Sequence, residues 1–171
     1  MSASFKTIVI TGCSTGFGRV AALHLARHGW RVFAAVRKES DRESLSNEAA
    51  AHGLAGRLFP MLCDITHAAQ VEALGRTVAE AAPALDALLN NAGTAYPGPL
   101  ELLPLTDLRA QLEVNVVAQL SVTQTFLPRL KAGPGTIINV SSIGGRVSFP
   151  ITGAYCVSKF ALEAMSDALR V

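Results

Sequence analysis

The chain has 171 residues, half of them hydrophobic and 16% charged, a composition that suits a single globular domain of residues 1–171 with a sizeable core. Its net charge is +2 and its basic residues are scattered, which excludes the electrostatic footprint of a nucleic-acid binder or of a protein docked on an anionic membrane. The apolar run within residues 1–11 is too brief for a leader peptide or a membrane span, and three widely spaced cysteines without a CxxC pair point to a reducing, cytoplasmic setting.

Short β-rich apolar runs alternate with longer helical patterns along the chain. The spacing predicts a strand over 7–10, a helix from about 17 to 28, a strand over 31–36 and a helix from about 41 to 51. It continues with a strand over 57–63, a helix from about 67 to 81, a strand over 85–90, a long helix from about 106 to 130, and a strand over 136–140. A last helix opens near Ala154. Gly29 stands where a helix needs a left-handed C-terminal residue, and Pro83 and Gly133-Pro134 punctuate helix ends. Runs such as Thr7-Ile8-Val9-Ile10 and Thr136-Ile137-Ile138-Asn139-Val140 are apolar on both faces, as parallel strands covered by helices on both sides must be. The expected fold class is therefore α/β, a doubly wound, Rossmann-like parallel sheet with right-handed crossovers and strand order 3-2-1-4-5. A ligand is expected at the carboxyl edge, where the order reverses after strand one. His24 and His28 are four apart on a helix, but no third ligand accompanies them, so no metal site is expected. Cys13 and Cys156 remain candidates for accessible thiols.

The segment Thr11-Gly12-Cys13-Ser14-Thr15-Gly16-Phe17-Gly18 follows the first strand directly and opens the first helix, the context of a phosphate-binding turn. Gly12 permits the tight turn, Gly16 lets backbone approach an anion, and Gly18 allows close helix packing. Glycines also occur in β-to-α turns that bind nothing, so the turn alone is a weak signal. Its spacing is GxxxGxG, and further along come Asp64, then Asn90-Asn91-Ala92-Gly93, then Ser142, and then Tyr155-Cys156-Val157-Ser158-Lys159. With these motifs in this order the whole chain resembles the short-chain dehydrogenase/reductase family, and its last segments look most similar to the hydroxysteroid and retinol dehydrogenase branch. The resemblance implies that Thr11, Gly12, Ser14, Gly16, Phe17 and Gly18 bind a dinucleotide, that Asp64 and Ile65 border its adenine, and that Asn91, Ala92 and Gly93 line it. Read alone, Asp64 is a helix N-cap and the Asn-Gly segment a turn.

The second strand ends Val36-Arg37-Lys38, with an apolar residue where an acid would accept the ribose hydroxyl of NAD and with Arg37 able to meet a 2′-phosphate. NADP(H) is therefore expected over NAD(H); the other reading of Arg37 is a solvated loop charge. Tyr155 and Lys159, four apart on a helix, can meet, and an ammonium beside the phenol favours phenolate. The resemblance implies that Tyr155 is the general acid/base and that Lys159 also holds the cofactor. It makes Ser142 the donor to the reacting oxygen, with Ser141 as its rival, and Asn115 a fourth catalytic residue that holds a water through a helix irregularity. Asn115 also reads as a buried amide satisfied by backbone.

The expected activity is hydride transfer between NADP(H) and an alcohol or carbonyl carbon. Apolar segments around Tyr96, Leu100, Val147, Phe149 and Ile151 suggest a lipophilic substrate. One alternative is a non-catalytic nucleotide-binding fragment or regulator; a second, a sugar-nucleotide epimerase or dehydratase, fits the glycine spacing less well. Family members continue beyond Val171 with two more strands and a substrate-covering segment. The resemblance therefore implies a fold lacking the family's last two strands, with reduced stability and weak or absent turnover. It also implies a possible homodimer through the long helix and the final helix.

Overall fold

A computed structural model describes residues 5–170; the expectations placed on residues 1–4 and on Val171 lie outside the described residues. The β-branched and apolar runs form five strands: β1 (Thr7–Ile10), β2 (Arg31–Val36), β3 (Leu58–Leu62), β4 (Ala87–Asn90) and β5 (Thr136–Asn139). Their order is β3-β2-β1-β4-β5 and every pairing is parallel, with Val9 opposite Phe33 on one side and Leu88 on the other. Parallel neighbours require crossovers, and the helices α1 (Gly16–Arg27), α2 (Glu39–Ala51) and α3 (Ala68–Ala81) supply them. The longest crossover joins β4 to β5 through α4 (Leu105–Leu112), a π turn (Glu113–Val117) and α5 (Ala118–Lys131). Two short 3-10 turns, Ile143–Gly145 and Pro150–Thr152, precede α6 (Gly153–Ala168).

Alternation along the strands divides the core in two. Ile8, Ile10, Val32, Ala34 and Val36 pack against Ala22, Leu23 and Ala26 of α1 and Leu45 and Ala49 of α2. Val9, Phe33, Ala35 and Leu88 face the opposite side, against Val71, Leu74 and Val78 of α3 and Val122 and Phe126 of α5. Each large side chain fully buried in these layers, such as Phe126 or Leu88, contributes roughly 1.5–3 kcal/mol of burial free energy. Helix α1 stops because Gly29, at φ +87°, carries the chain into the left-handed region. The Trp30 N–H then donates to the Leu25 carbonyl and the Gly29 N–H to that of Ala26.

One expectation needs correction. Strand β5 is not covered on both faces: Thr136 is exposed, Ile138 is 46% exposed, and only Ile137 packs against the core. It is an edge strand, and no further strand lies beside it among the described residues. The helix expected over 106–130 carries the irregularity expected at Asn115, as the π turn Glu113–Val117.

Candidate functional site

The segment just after β4 fastens the glycine-rich turn. The Thr11 hydroxyl accepts from the backbone N–H groups of Asn91 and Ala92, both at 3.1 Å. The Asn91 side chain donates in return to the carbonyls of Thr11 (2.9 Å) and Gly12 (3.0 Å), and the Cys13 N–H donates to the Ala35 carbonyl. Glycine is forced here: Gly12 sits at φ +71°, and a Cβ on it would stand 2.7 Å from the Cα of Ala92. A Cβ on Gly18 would stand 2.4 Å from both the Gly12 carbonyl oxygen and the Asn91 amide nitrogen.

Beyond this turn lies a cleft of about 280 Å³, lined by Gly12, Ser14, Phe17, Arg37, Asp64, Ile65, Asn91, Ala92 and Gly93 of the residues expected from sequence. Thr11, Gly16 and Gly18 do not line it; Thr11 is buried and acts through its two N–H partners. Thr15, the N-cap of α1, makes no side-chain cap hydrogen bond, so the first N–H groups of that helix have no capping acceptor. Space is free within 4 Å of where a Gly16 Cβ would stand. A helix N-terminus, an open glycine and the Arg37 guanidinium together fit a phosphate-bearing dinucleotide. Asp64 lies in the turn before α3, whose N-cap is His67 rather than Asp64; its carboxylate accepts from the Thr66 N–H at 3.0 Å and hydroxyl at 2.8 Å. Partial burial pushes its carboxyl up, but the Thr66 hydrogen bonds and the charges of His67 and Arg37 outweigh this and hold it below the usual range.

Phe17, Asn91, Gly93 and Thr94 also line a second recess together with Ser141, Ser142, Tyr155 and Lys159, so the two spaces share a wall. Tyr155 and Lys159 lie together on one face of α6, with the Lys159 Nζ 5.6 Å from the Tyr155 ring centroid. Lys159 is 5% exposed and its Nζ donates to the Val140 carbonyl at 2.8 Å, just beyond β5. Ser142 caps the 3-10 turn, its Oγ accepting from the Gly144 N–H at 3.1 Å, which leaves its own O–H free to donate. The Ser141 Oγ is buried without a partner among the described residues and lies 2.8 Å from where a Gly145 Cβ would be, beneath the turn.

Burial pushes the Lys159 ammonium below its usual value of 10.5. The folded chain therefore binds this proton less tightly than the unfolded chain, and the buried charge costs stability at neutral pH. That cost is relieved as pH rises from the lowered folded-state value to 10.5. In that window the parent chain is expected to gain stability relative to Lys159→Met, read as a rising difference in urea midpoints; a constant difference would contradict it.

Asn115 lies in neither recess. It is fully buried in the π turn, its Oδ1 accepting from the Thr94 N–H (2.8 Å) and its Nδ2 donating to the Thr94 carbonyl and the Ser158 hydroxyl (both 2.9 Å). Its side chain thus joins the segment after β4 to α6. Sequence reasoning missed Gln111 and Gln119, which flank it at four-residue spacing; three amides in one apolar helical pattern were the available signal. The expected accessible thiols are also corrected: Cys13 and Cys156 are buried, as is Cys63. Burial pushes the Cys13 thiol up to about 12 and that of Cys63 up to about 11.

Comparison with known proteins places this arrangement. The family model for short chain dehydrogenase matches residues 6–171. An uncharacterised oxidoreductase of Bacillus subtilis, YusZ, is 42% identical over 167 residues, 97% of this chain and 59% of that protein. Mouse retinol dehydrogenase 16 is 38% identical over 168 residues, 96% of this chain and 51% of that protein. The chain thus spans 51–59% of the length of these relatives. Among solved structures, an alcohol dehydrogenase of Thermococcus sibiricus complexed with 5-hydroxy-NADP superposes with a TM-score of 0.91 at 28% identity, covering 98% of this chain and 71% of that one. A short chain dehydrogenase/reductase of Burkholderia phymatum in complex with NAD gives 0.90 at 29% identity, covering 99% and 60%. With its parallel sheet, its glycine-rich turn and its Tyr155–Lys159 pair, the chain belongs to the short-chain dehydrogenase family.

Proposed function

We propose that the chain binds NADP(H) and moves a hydride between it and the carbon of a lipophilic alcohol or carbonyl compound. The observation that carries this reading is the wall shared by the two recesses, through Phe17, Asn91, Gly93 and Thr94, which sets a dinucleotide cleft beside Ser142, Tyr155 and Lys159. When bound, the nicotinamide supplies or accepts the hydride. Tyr155 moves the proton at the substrate oxygen, and the free Ser142 O–H donates to that oxygen as charge develops. Lys159, held by the Val140 carbonyl, keeps positive charge beside the phenol. Asn115 holds the segment against which these groups work and, through the carbonyls of its π turn, orders a water near Lys159.

The apolar rim supports a lipophilic substrate. The loops before α4 and before α6 touch through the Gly98 N–H and the Ile151 carbonyl, and Leu100, Leu102, Ile143, Phe149 and Ile151 are exposed along them. Exposed Val117, Leu120, Val157 and Phe160 on the long crossover and α6 support a homodimer through those helices.

Arg37 carries the preference for NADP(H). Arg37→Ala is expected to weaken NADPH relative to NADH by about tenfold to a hundredfold, since a hydrogen bond to a charged group contributes about 1.5–3 kcal/mol. An unchanged affinity ratio in paired titrations would refute the assignment. Titration with NADPH followed by assay of lipophilic and polar carbonyls tests the whole reading. Binding without turnover of any carbonyl favours the alternative of a nucleotide-binding regulator.

A further inference from the structure

Three buried amides stand in a row on the crossover between β4 and β5, and each grips a different residue of the extended segment that leaves β4. Gln119 donates through Nε2 to the Ala92 carbonyl, Asn115 pairs with both the N–H and the carbonyl of Thr94, and Gln111 accepts through Oε1 from the Tyr96 N–H at 2.6 Å. The backbone partners fix which end of each glutamine amide is oxygen, because a carbonyl needs a donor and an N–H an acceptor. The rungs sit four residues apart on the helix and two apart on the segment. Four helical residues rise about 6 Å and two extended residues about 6.6 Å, so the two repeats match.

They match in height but not in direction on a regular helix. Four residues turn about 400°, so each successive amide would drift about 40° around the axis. The π turn Glu113–Val117, centred on the middle rung, is wider than an α turn and takes up part of this drift. All three side chains are 0–1% exposed, and Gln111 Nε2 and Gln119 Oε1 have no partner among the described residues. An orphaned buried amide atom costs at least as much as one made hydrogen bond returns, so stability alone does not account for glutamine at these positions. The segment they hold supplies Gly93 and Thr94 to the wall shared by both recesses. A Cβ on Gly93 would stand 3.4 Å from Asn115 Oδ1 and 3.9 Å from Lys159 Nζ.

We propose that Gln111 and Gln119 are positioning residues that, with Asn115 and the π turn between them, hold residues 92–96 in the register the nucleotide cleft requires. The functional part rests on the dinucleotide reading above. Amide hydrogen exchange of the full chain, with an NADPH fluorescence titration beside it, tests the proposal. In Gln111→Met the Tyr96 N–H is expected to exchange about tenfold or more faster than in the parent, with Val9 and Val32 in the same sample unchanged, and NADPH to bind severalfold more weakly. Gln111→Glu keeps a carbonyl acceptor as the neutral acid and is expected to restore both. Gln119→Met acts on the other end, at Gly93 and Thr94, and reads the same register if the first variant does not fold. Exchange that rises equally at Val9, or local opening with undiminished NADPH affinity, overturns the proposal. A parent chain that binds no NADPH refutes the dinucleotide reading instead, and the exchange pattern then decides the register alone.

Discussion

Gly18→Ala is expected to destabilise the chain by about 2–3 kcal/mol, the upper part of the range for overpacking, and to lower its melting temperature by roughly 4–12 °C for a chain of this size. The added methyl has no room. It meets the Gly12 carbonyl and the Asn91 amide at 2.4 Å, and those two groups are bonded to each other, so neither yields without opening the turn. NADPH binding is expected to weaken by about tenfold or more, because the turn that would hold the pyrophosphate moves with them. Gly16→Ala separates the two effects. It meets no atom within 4 Å and costs only the left-handed backbone at φ +59°, about 1–2 kcal/mol, yet it places a methyl at the mouth of α1. Thermal unfolding and NADPH titration of both variants check this. A Gly18→Ala chain with parental melting and affinity would show that the turn is not clamped as described.

Tyr155→Phe is expected to lower carbonyl reduction by about 10²–10⁴-fold, the usual contribution of a positioned proton donor. NADPH affinity is expected to stay within about twofold, since the substitution removes one oxygen and no packing. The ring is held from outside: a Cβ on Gly144 would lie 3.3 Å from Tyr155 Cε1, so the phenyl of the variant keeps its place against the 3-10 turn. NADPH oxidation with a saturating carbonyl substrate gives the first quantity and fluorescence titration the second. Retained turnover would remove Tyr155 from the acid/base role, and loss of NADPH binding would show that the phenol acts on the cofactor rather than on the substrate oxygen.

The strands, their order and the glycine-rich turn were legible because each rests on local chemistry. Runs such as Thr7-Ile8-Val9-Ile10 show their burial in composition, and parallel strands allow few crossovers. Tyr155 and Lys159 were legible for the same reason, since one helical turn joins them. What escaped depends on partners distant in sequence. The Asn90 side chain donates to both the Thr123 hydroxyl and Asn139, tying β4 to α5 and to β5, and no spacing rule connects those positions. Gln111 and Gln119 read as ordinary helix residues until the extended segment beside them is known. The coverage of β5 was not legible because Ile137 and Ile138 are equally apolar, and only the packed structure shows that Ile137 meets the core while Ile138, on the other face, does not. Composition likewise could not show that the Ser141 hydroxyl is buried under Gly145 while the Ser142 hydroxyl caps the 3-10 turn, although both residues line the recess.

The buried thiols give the molecule a built-in chemical footprint. Cys13 lies inside the glycine-rich turn, donating from Sγ to the Ile10 carbonyl, Cys63 borders the cleft beside Asp64, and Cys156 follows Tyr155 on α6. In the closed chain Cys13 and Cys63 are short of thiolate as well as hidden, so an alkylating reagent reaches them only through transient opening. Each of the three parts of the site thus carries its own label position. The relative rates at which the reagent modifies them record which part of the site breathes first, without any engineered label position.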